Sequence, residues 1–342
     1  MANYLNISIK PIVKKLLDEA WKVKENERIL IISDYPTPED FVTKPTDVLE
    51  SIVERNLLAK RLFDMIKGFK PDTTELYYIK PTYAHYTDPN DKEMNKKIQG
   101  SDLVITLTEY SLTDVPSLKK PLDDKKIRHV SAPLIPVDVF YPNGPLDVDL
   151  HDIERITTRL YNLVQGARKL EFFDVAGSDL TLEFSSPIDW LWETGFCSSP
   201  GMFSNLPAGE IVLELPYGQQ ECKVNGTLNI FPGWQEELTQ LLTLTIKDNT
   251  IIDCVGGGKV GEDIQEMIKK EDVRLFQLGI GTNPKANDPF CATVADKFIG
   301  MVHVGFYPDT RVDHYYFPLS KLVINEKEYS RNQLFDTSEI NQ

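Results

Sequence analysis

No apolar run in this 342-residue chain approaches the roughly 20 residues that cross a bilayer, so no membrane span is expected. The opening, Met1 to Lys10, lacks the basic-then-apolar order of a secretory leader, which argues against export. Cysteine is scarce. Cys197, Cys222, Cys254 and Cys291 stand far apart with no C-x-x-C pair, which removes zinc ribbons and dithiol redox motifs. Two bridges remain open to them, but free buried thiols in a reducing cytoplasm are the preferred reading. Neither G-x-G-x-x-G nor a Walker sequence occurs, so a nucleotide domain lacks its phosphate loop. Basic residues are outnumbered, giving a formal net charge of −15 that repels phosphate backbones and excludes nucleic acid as the main partner. No internal repeat or low-complexity tract is present.

What is present is ordinary globular composition in a chain long enough for two cores, since single cores stop growing near roughly 250–300 residues. Ile12, Val13, Leu16, Leu17, Ala20 and Trp21 recur at three- and four-residue steps and predict a first amphipathic helix. Arg28–Ser33 is a continuous apolar run of strand length, as a strand covered on both faces requires. A long helix over Val48 to Ile66, strands at Glu75–Ile79, Asp102–Leu107 and Arg128–Ser131, and helices near Ser117–Leu122 and Leu150–Leu163 continue the alternation. Strand and helix in turn predict an α/β domain with an open parallel sheet, its crevice at Asp34 and Thr108 to Thr113.

After Ala167 the texture changes to short alternating segments, among them Leu180–Phe184, Ile211–Leu215 and Leu242–Ile246. Asn225-Gly226, Pro232-Gly233 and Asp248-Asn249 read as the turns between them, and Gly256-Gly257-Gly258 as a turn before a helix at Glu262–Lys269. The expected organisation is a Rossmann-like α/β domain at 1–166, then an α+β domain at 167–342 with largely antiparallel strands.

Two of the five histidines, His303 and His314, lie close together in this second half. His303 sits inside the apolar strand Phe298–Phe306, where an imidazole is costly to bury unless a metal, a carboxylate or the backbone bonds it. Alternation from Val312 to Tyr316 places His314 and Tyr316 on one face and Asp313 on the other. Glu210, at the end of Ser204–Glu210 where a Pro-Gly turn enters an apolar strand, is a third candidate.

The order of four strings carries a resemblance. Val175–Thr181 looks like G-T-D-L-T, Phe203–Glu210 like N-x-P-x-G-E, Leu278–Ala286 like G-I-G-T-N-P, and Lys297–His303 like K-x-x-G-t-v-H. Weaker segments lie at Ser111–Thr113 and His129–Pro133. Together they resemble the aminopeptidase T and S family of metallopeptidases, most securely over residues 170 to 325. That resemblance implies a homodimer with a two-metal site of two glutamates, two histidines and an aspartate. Glu210, His303 and His314 stand at three ligand positions. The second glutamate position is Gln277 and the aspartate position is Tyr316, and Tyr307 corresponds to a family active-site tyrosine.

Neutral groups at two ligand positions are poorly suited to a pair of mutually repelling cations, and glutamine cannot act as a general base. Three readings follow. In the first, a divergent member binds a peptide or amino-acid-like ligand with one divalent metal, zinc, cobalt or iron, or with none, and lacks normal aminopeptidase activity. In the second, it is an active aminopeptidase with the lost acids replaced by Asp309 or Asp313. In the third, two imidazoles and a carboxylate hold iron(II) in a ring-cleaving dioxygenase.

Overall fold

The computed structural model describes residues 8–70, 72–215, 221–234, 237–288, 291–307 and 314–336. Its first compact unit comprises residues 1–150 with 195–208, and its second 151–194 with 209–342.

In the first unit the apolar run after Arg28 becomes β1 (Ile29–Asp34), buried at every position. It pairs in parallel with β2 (Thr74–Ile79) on one side and β3 (Leu103–Leu107) on the other. β4 (Arg128–Ser131) and β8 (Phe203–Asn205), the latter arriving later in the chain, complete a five-stranded sheet in the order β2-β1-β3-β4-β8. The absence of alternation in β1, β3 and β4 has the expected cause: both faces are covered. Leu30, Ile32 and Val104 pack with Met94, Ile98, Val115 and Leu118 from the helices Lys92–Gln99 and Pro116–Asp123. The 24-residue helix Thr46–Phe69 lies against β1 and β2. The first helix, Lys10–Lys15, continues as a π-helical turn, Leu16–Ala20.

β1 and β3 flank the point where strand order reverses, the usual ligand crevice of such sheets. Here the chain's own charges occupy the strand ends. Arg55 and Glu109 form a buried ion pair, and the Glu109 amide donates to Asp34 Oδ2 at 2.9 Å. Burial pushes the Asp34 carboxyl up to about 7, against the pull of Arg55.

The second unit is built on a 12-stranded sheet. β5 (Lys169–Phe173), β6 (Asp179–Phe184), β7 (Leu191–Glu193), β9 (Glu210–Glu214) and β10 (Cys222–Ile230) come first. β11 (Leu242–Lys247), β12 (Thr250–Gly256), β13 (Arg274–Gly281), β14 (Met301–Tyr307), β15 (Tyr315–Pro318), β16 (Lys321–Ile324) and β17 (Lys327–Ser330) follow. Its main path runs β15-β14-β13-β12-β11-β10-β6-β5-β16-β17, with β9 branching from β13 and β7 from β9, and its pairings are antiparallel. One face packs Leu180, Leu228, Leu244, Leu278, Val302 and Phe317 against Leu160, Val164, Val260 and Ile264 of the helices Leu150–Val164 and Lys259–Lys270.

Pro232-Gly233 and Asp248-Asn249 lie between strands as expected, the latter with φ of 46° and 68°. Gly256, Gly257 and Gly258, all at positive φ, lead into the helix that begins at Lys259. Asn225-Gly226 is a correction: it lies inside β10, paired with Thr181 and Leu180 of β6. The glycine serves a close approach, because a Cβ on Gly226 would stand 2.0 Å from the Asp179 carbonyl oxygen. The four cysteines are free thiols, three of them buried. Among the described residues, no helix is long and apolar enough to cross a membrane.

Candidate metal centre

The site lies on the face of β13, β14 and β15 opposite the large core. Along β14, Val302, Val304 and Phe306 enter that core, so alternation turns His303 to the other face. His303 lies directly across from Gly279 of β13, and its ring crosses over that residue: a Cβ on Gly279 would stand 2.2 Å from Cε1. The first glycine of the G-I-G-T-N-P block is therefore the floor on which the imidazole rests. Gly281, two residues on, makes the same allowance for backbone, since a Cβ there would stand 2.7 Å from the Asp296 carbonyl oxygen. Asn283 completes the fit: its amide donates to the Lys297 carbonyl at 2.8 Å and its carbonyl accepts from Ile299 at 3.1 Å. Two strings with no obvious common purpose in the sequence thus converge on one place.

The short helix Ala292–Ala295 ends at Asp296, whose carboxylate organises the site. His314 Nδ1 lies 2.9 Å from Asp296 Oδ1, and the Tyr316 hydroxyl donates to the same oxygen at 3.0 Å. His303 Nδ1 is 3.8 Å from it, outside hydrogen-bond reach, and is buried without a hydrogen-bond partner among the described residues. The two imidazoles face one another with ring centroids 4.7 Å apart. One ligand atom from each of Asp296, His303 and His314 falls within 4.8 Å of the others, the spacing of a metal-binding group.

Electrostatics sorts the protonation states. Burial lowers the His303 pKa to about 3, so its ring is neutral and has a lone pair to offer. Burial opposes ionisation of Asp296, but His314, His303 and Lys297 hold it well below the usual carboxylate range. Gln277 Oε1 lies 2.6 Å from His314 Nε2. A carbonyl oxygen and an ionised carboxylate both only accept, so Nε2 donates to Gln277 and Nδ1 donates to Asp296, the Nδ1 proton being the one a bound cation would displace.

Glu210 sits apart from this trio. It is buried at the start of β9, opposite Gly281, and forms an ion pair with the Lys297 ammonium. Its Oε2 is 3.7 Å from His303 Nε2. Glu193, opposite Glu210 on β7, reaches to 3.9 Å from the same ammonium. Burial works against the charge on Lys297, yet Glu210, Glu193 and Asp296 keep it above the ordinary lysine range.

Of the residues singled out in the sequence, His303, His314, Gln277 and Tyr316 are brought together. Glu210 adjoins them through His303 and Lys297. Tyr307, at the end of β14, is 65% exposed. His314 precedes β15 rather than lying within it. Asp309 and Asp313 lie outside the described residues. Sequence reasoning missed Asp296 and the role of Lys297. The available signal was adjacency, since Asp296 immediately precedes the lysine of the K-x-x-G-t-v-H string.

No protein-family model matches the sequence, and no curated protein does. Among solved structures, the chain is similar to 2,5-dihydroxypyridine dioxygenase from Pseudomonas putida, with a TM-score of 0.61 and 17% identity over 94% of each chain. It is also similar to AmpT from Thermus thermophilus, with a TM-score of 0.57 and 9% identity over 95% of this chain and 98% of that one. The fold implied by the order of motifs is the fold found.

Proposed function

We propose that this chain is a mononuclear metalloenzyme in which Asp296, His303 and His314 hold one iron(II), and that it oxidises a hydroxylated aromatic ring. The observation that carries this reading is the buried His303 Nδ1, which among the described residues makes no hydrogen bond of normal geometry and lies beside a carboxylate and a second imidazole. An unsatisfied polar atom at such depth costs on the order of 1–3 kcal/mol, and a cation held between the three side chains would remove that cost. Two imidazoles and one carboxylate, with positions left open, are the ligand set of non-haem iron(II) oxygenases. Bound there, the ion supplies oxygen activation and a site for an anionic phenolate-type oxygen.

Charge supports one ion rather than two. Glu193, Glu210 and Asp296 are three carboxylates around one ammonium, and the excess of two negative charges matches a single divalent cation. Lys297 already neutralises Glu210, the carboxylate that a second ion would use. Gln277 orients His314 and Tyr316 donates to Asp296, so the two neutral residues at family ligand positions act here by hydrogen bonding to ligands. The fold likeness to a dioxygenase of a dihydroxylated pyridine supports an oxygenase. The likeness to AmpT supports a second reading, release of N-terminal amino acids from peptides.

The test is anaerobic loading with iron(II), zinc or cobalt, elemental analysis of the product, and then two assays. Expected are one ion per chain and oxygen uptake with iron and a dihydroxylated aromatic. Two ions per chain, or amino-acid release from peptides with zinc or cobalt, would sink the proposal in favour of a peptidase.

A further inference from the structure

The pairing of β13 with β14 slips by one residue: Leu275 faces Phe306, Gln277 faces Gly305, and Phe276 between them has no partner on β14. This is a β-bulge, a device that re-aims a side chain and recurs beside active sites. Its effect is visible in the core. Leu275 and Leu278 both enter it, although simple alternation would place them on opposite faces, and the two residues between them are both turned to the metal-site face. One of the two, Gln277, bonds His314. The other, Phe276, lies across Gly305: a Cβ on that glycine would stand 2.6 Å from the Phe276 Cζ and 3.0 Å from His314 Cδ2. The Phe276 ring centroid is 6.4 Å from that of His314. It is nevertheless 40% exposed, an apolar ring open to solvent beside a buried polar group.

We infer that Phe276 is the ring-contacting, specificity-setting residue of this site. The inference rests on the metal reading above and adds the side chain against which a planar substrate lies. The arrangement suits a flat ligand with oxygen at one edge. Its polar edge would meet the Asp296, His303 and His314 group while its face lies against Phe276 in an offset or edge-on contact. A branched aliphatic side chain has no such face to offer.

The experiment titrates wild type, F276A and F276Y, each loaded with metal, with two chelating probes, planar 4-nitrocatechol and aliphatic leucine hydroxamate. Metal content and thermal melting are measured in parallel. A lost stacking contact should weaken nitrocatechol binding about tenfold in F276A. F276Y should stay within about twofold of wild type, hydroxamate affinity should not change, and all three proteins should carry the same metal. Equal nitrocatechol affinity in F276A and wild type, or an equal loss for both probes, would overturn the inference while leaving the metal reading standing. Wild type that takes up no ion would overturn both.

Discussion

Gln277 Oε1 bonds His314 Nε2 while Nδ1 of the same ring faces Asp296, so the glutamine orients the imidazole from outside the candidate metal group. Outer partners of this kind typically hold ten- to a hundredfold of metal affinity. Q277A should therefore lower affinity by about that factor while melting near wild type, as competition titration against a chromophoric chelator would show; unchanged affinity would refute the orienting role. In the other unit, Asp34 offers a pH test. Its carboxyl, raised by burial from 3.8 to about 7, contributes stability that is complete below about pH 3.8 and lost as the pH climbs through 7. Asn keeps the acceptor for the Glu109 amide and carries no charge. D34N should accordingly gain on wild type as pH rises, by ~2 kcal/mol more at pH 8 than at pH 5 in denaturant melts. His303 was legible in the sequence because it falls in a recognisable string, and Gln277, His314 and Tyr316 because the family resemblance implied ligand positions for them. Asp296 was not, because it ends a four-residue helix and no periodicity marks it.

At the scale of elements, runs such as Ile29–Asp34 and Leu103–Leu107 declare themselves because two covered faces leave no place for polar residues. Asn225-Gly226 misleads because the dipeptide that best fits a tight turn also fits a strand where a neighbouring backbone presses close. G226A should cost about 2–4 kcal/mol through that contact, a range typical of overpacking and backbone strain. A melt within 0.5 kcal/mol of wild type would show that β6 yields. The bulge at Phe276 was equally hidden, since Leu275-Phe276-Gln277-Leu278 read by alternation turns Gln277 toward the core. Only the register with β14 shows which residue is extra.

On the scale of the whole molecule, each unit has its own core, and all the residues of the candidate metal group belong to the second. Ion binding should then slow hydrogen exchange in peptides from β13 to β15 and leave those from β1 to β4 unchanged. Protection spread evenly over both units would contradict a local site. At a hundredfold excess over its dissociation constant, an ion that binds only the folded protein adds ~2.7 kcal/mol, enough to read by calorimetry. The buried ammonium of Lys297 sets a limit on what such experiments can strip away. A cation tethered to the main chain does not dissociate on dilution and no chelator extracts it, so one of the three carboxylates around it stays neutralised whether or not an ion is bound. Emptying and refilling the proposed site should then be a one-ion exchange, reversible by dialysis, with no doubly vacant state to collapse.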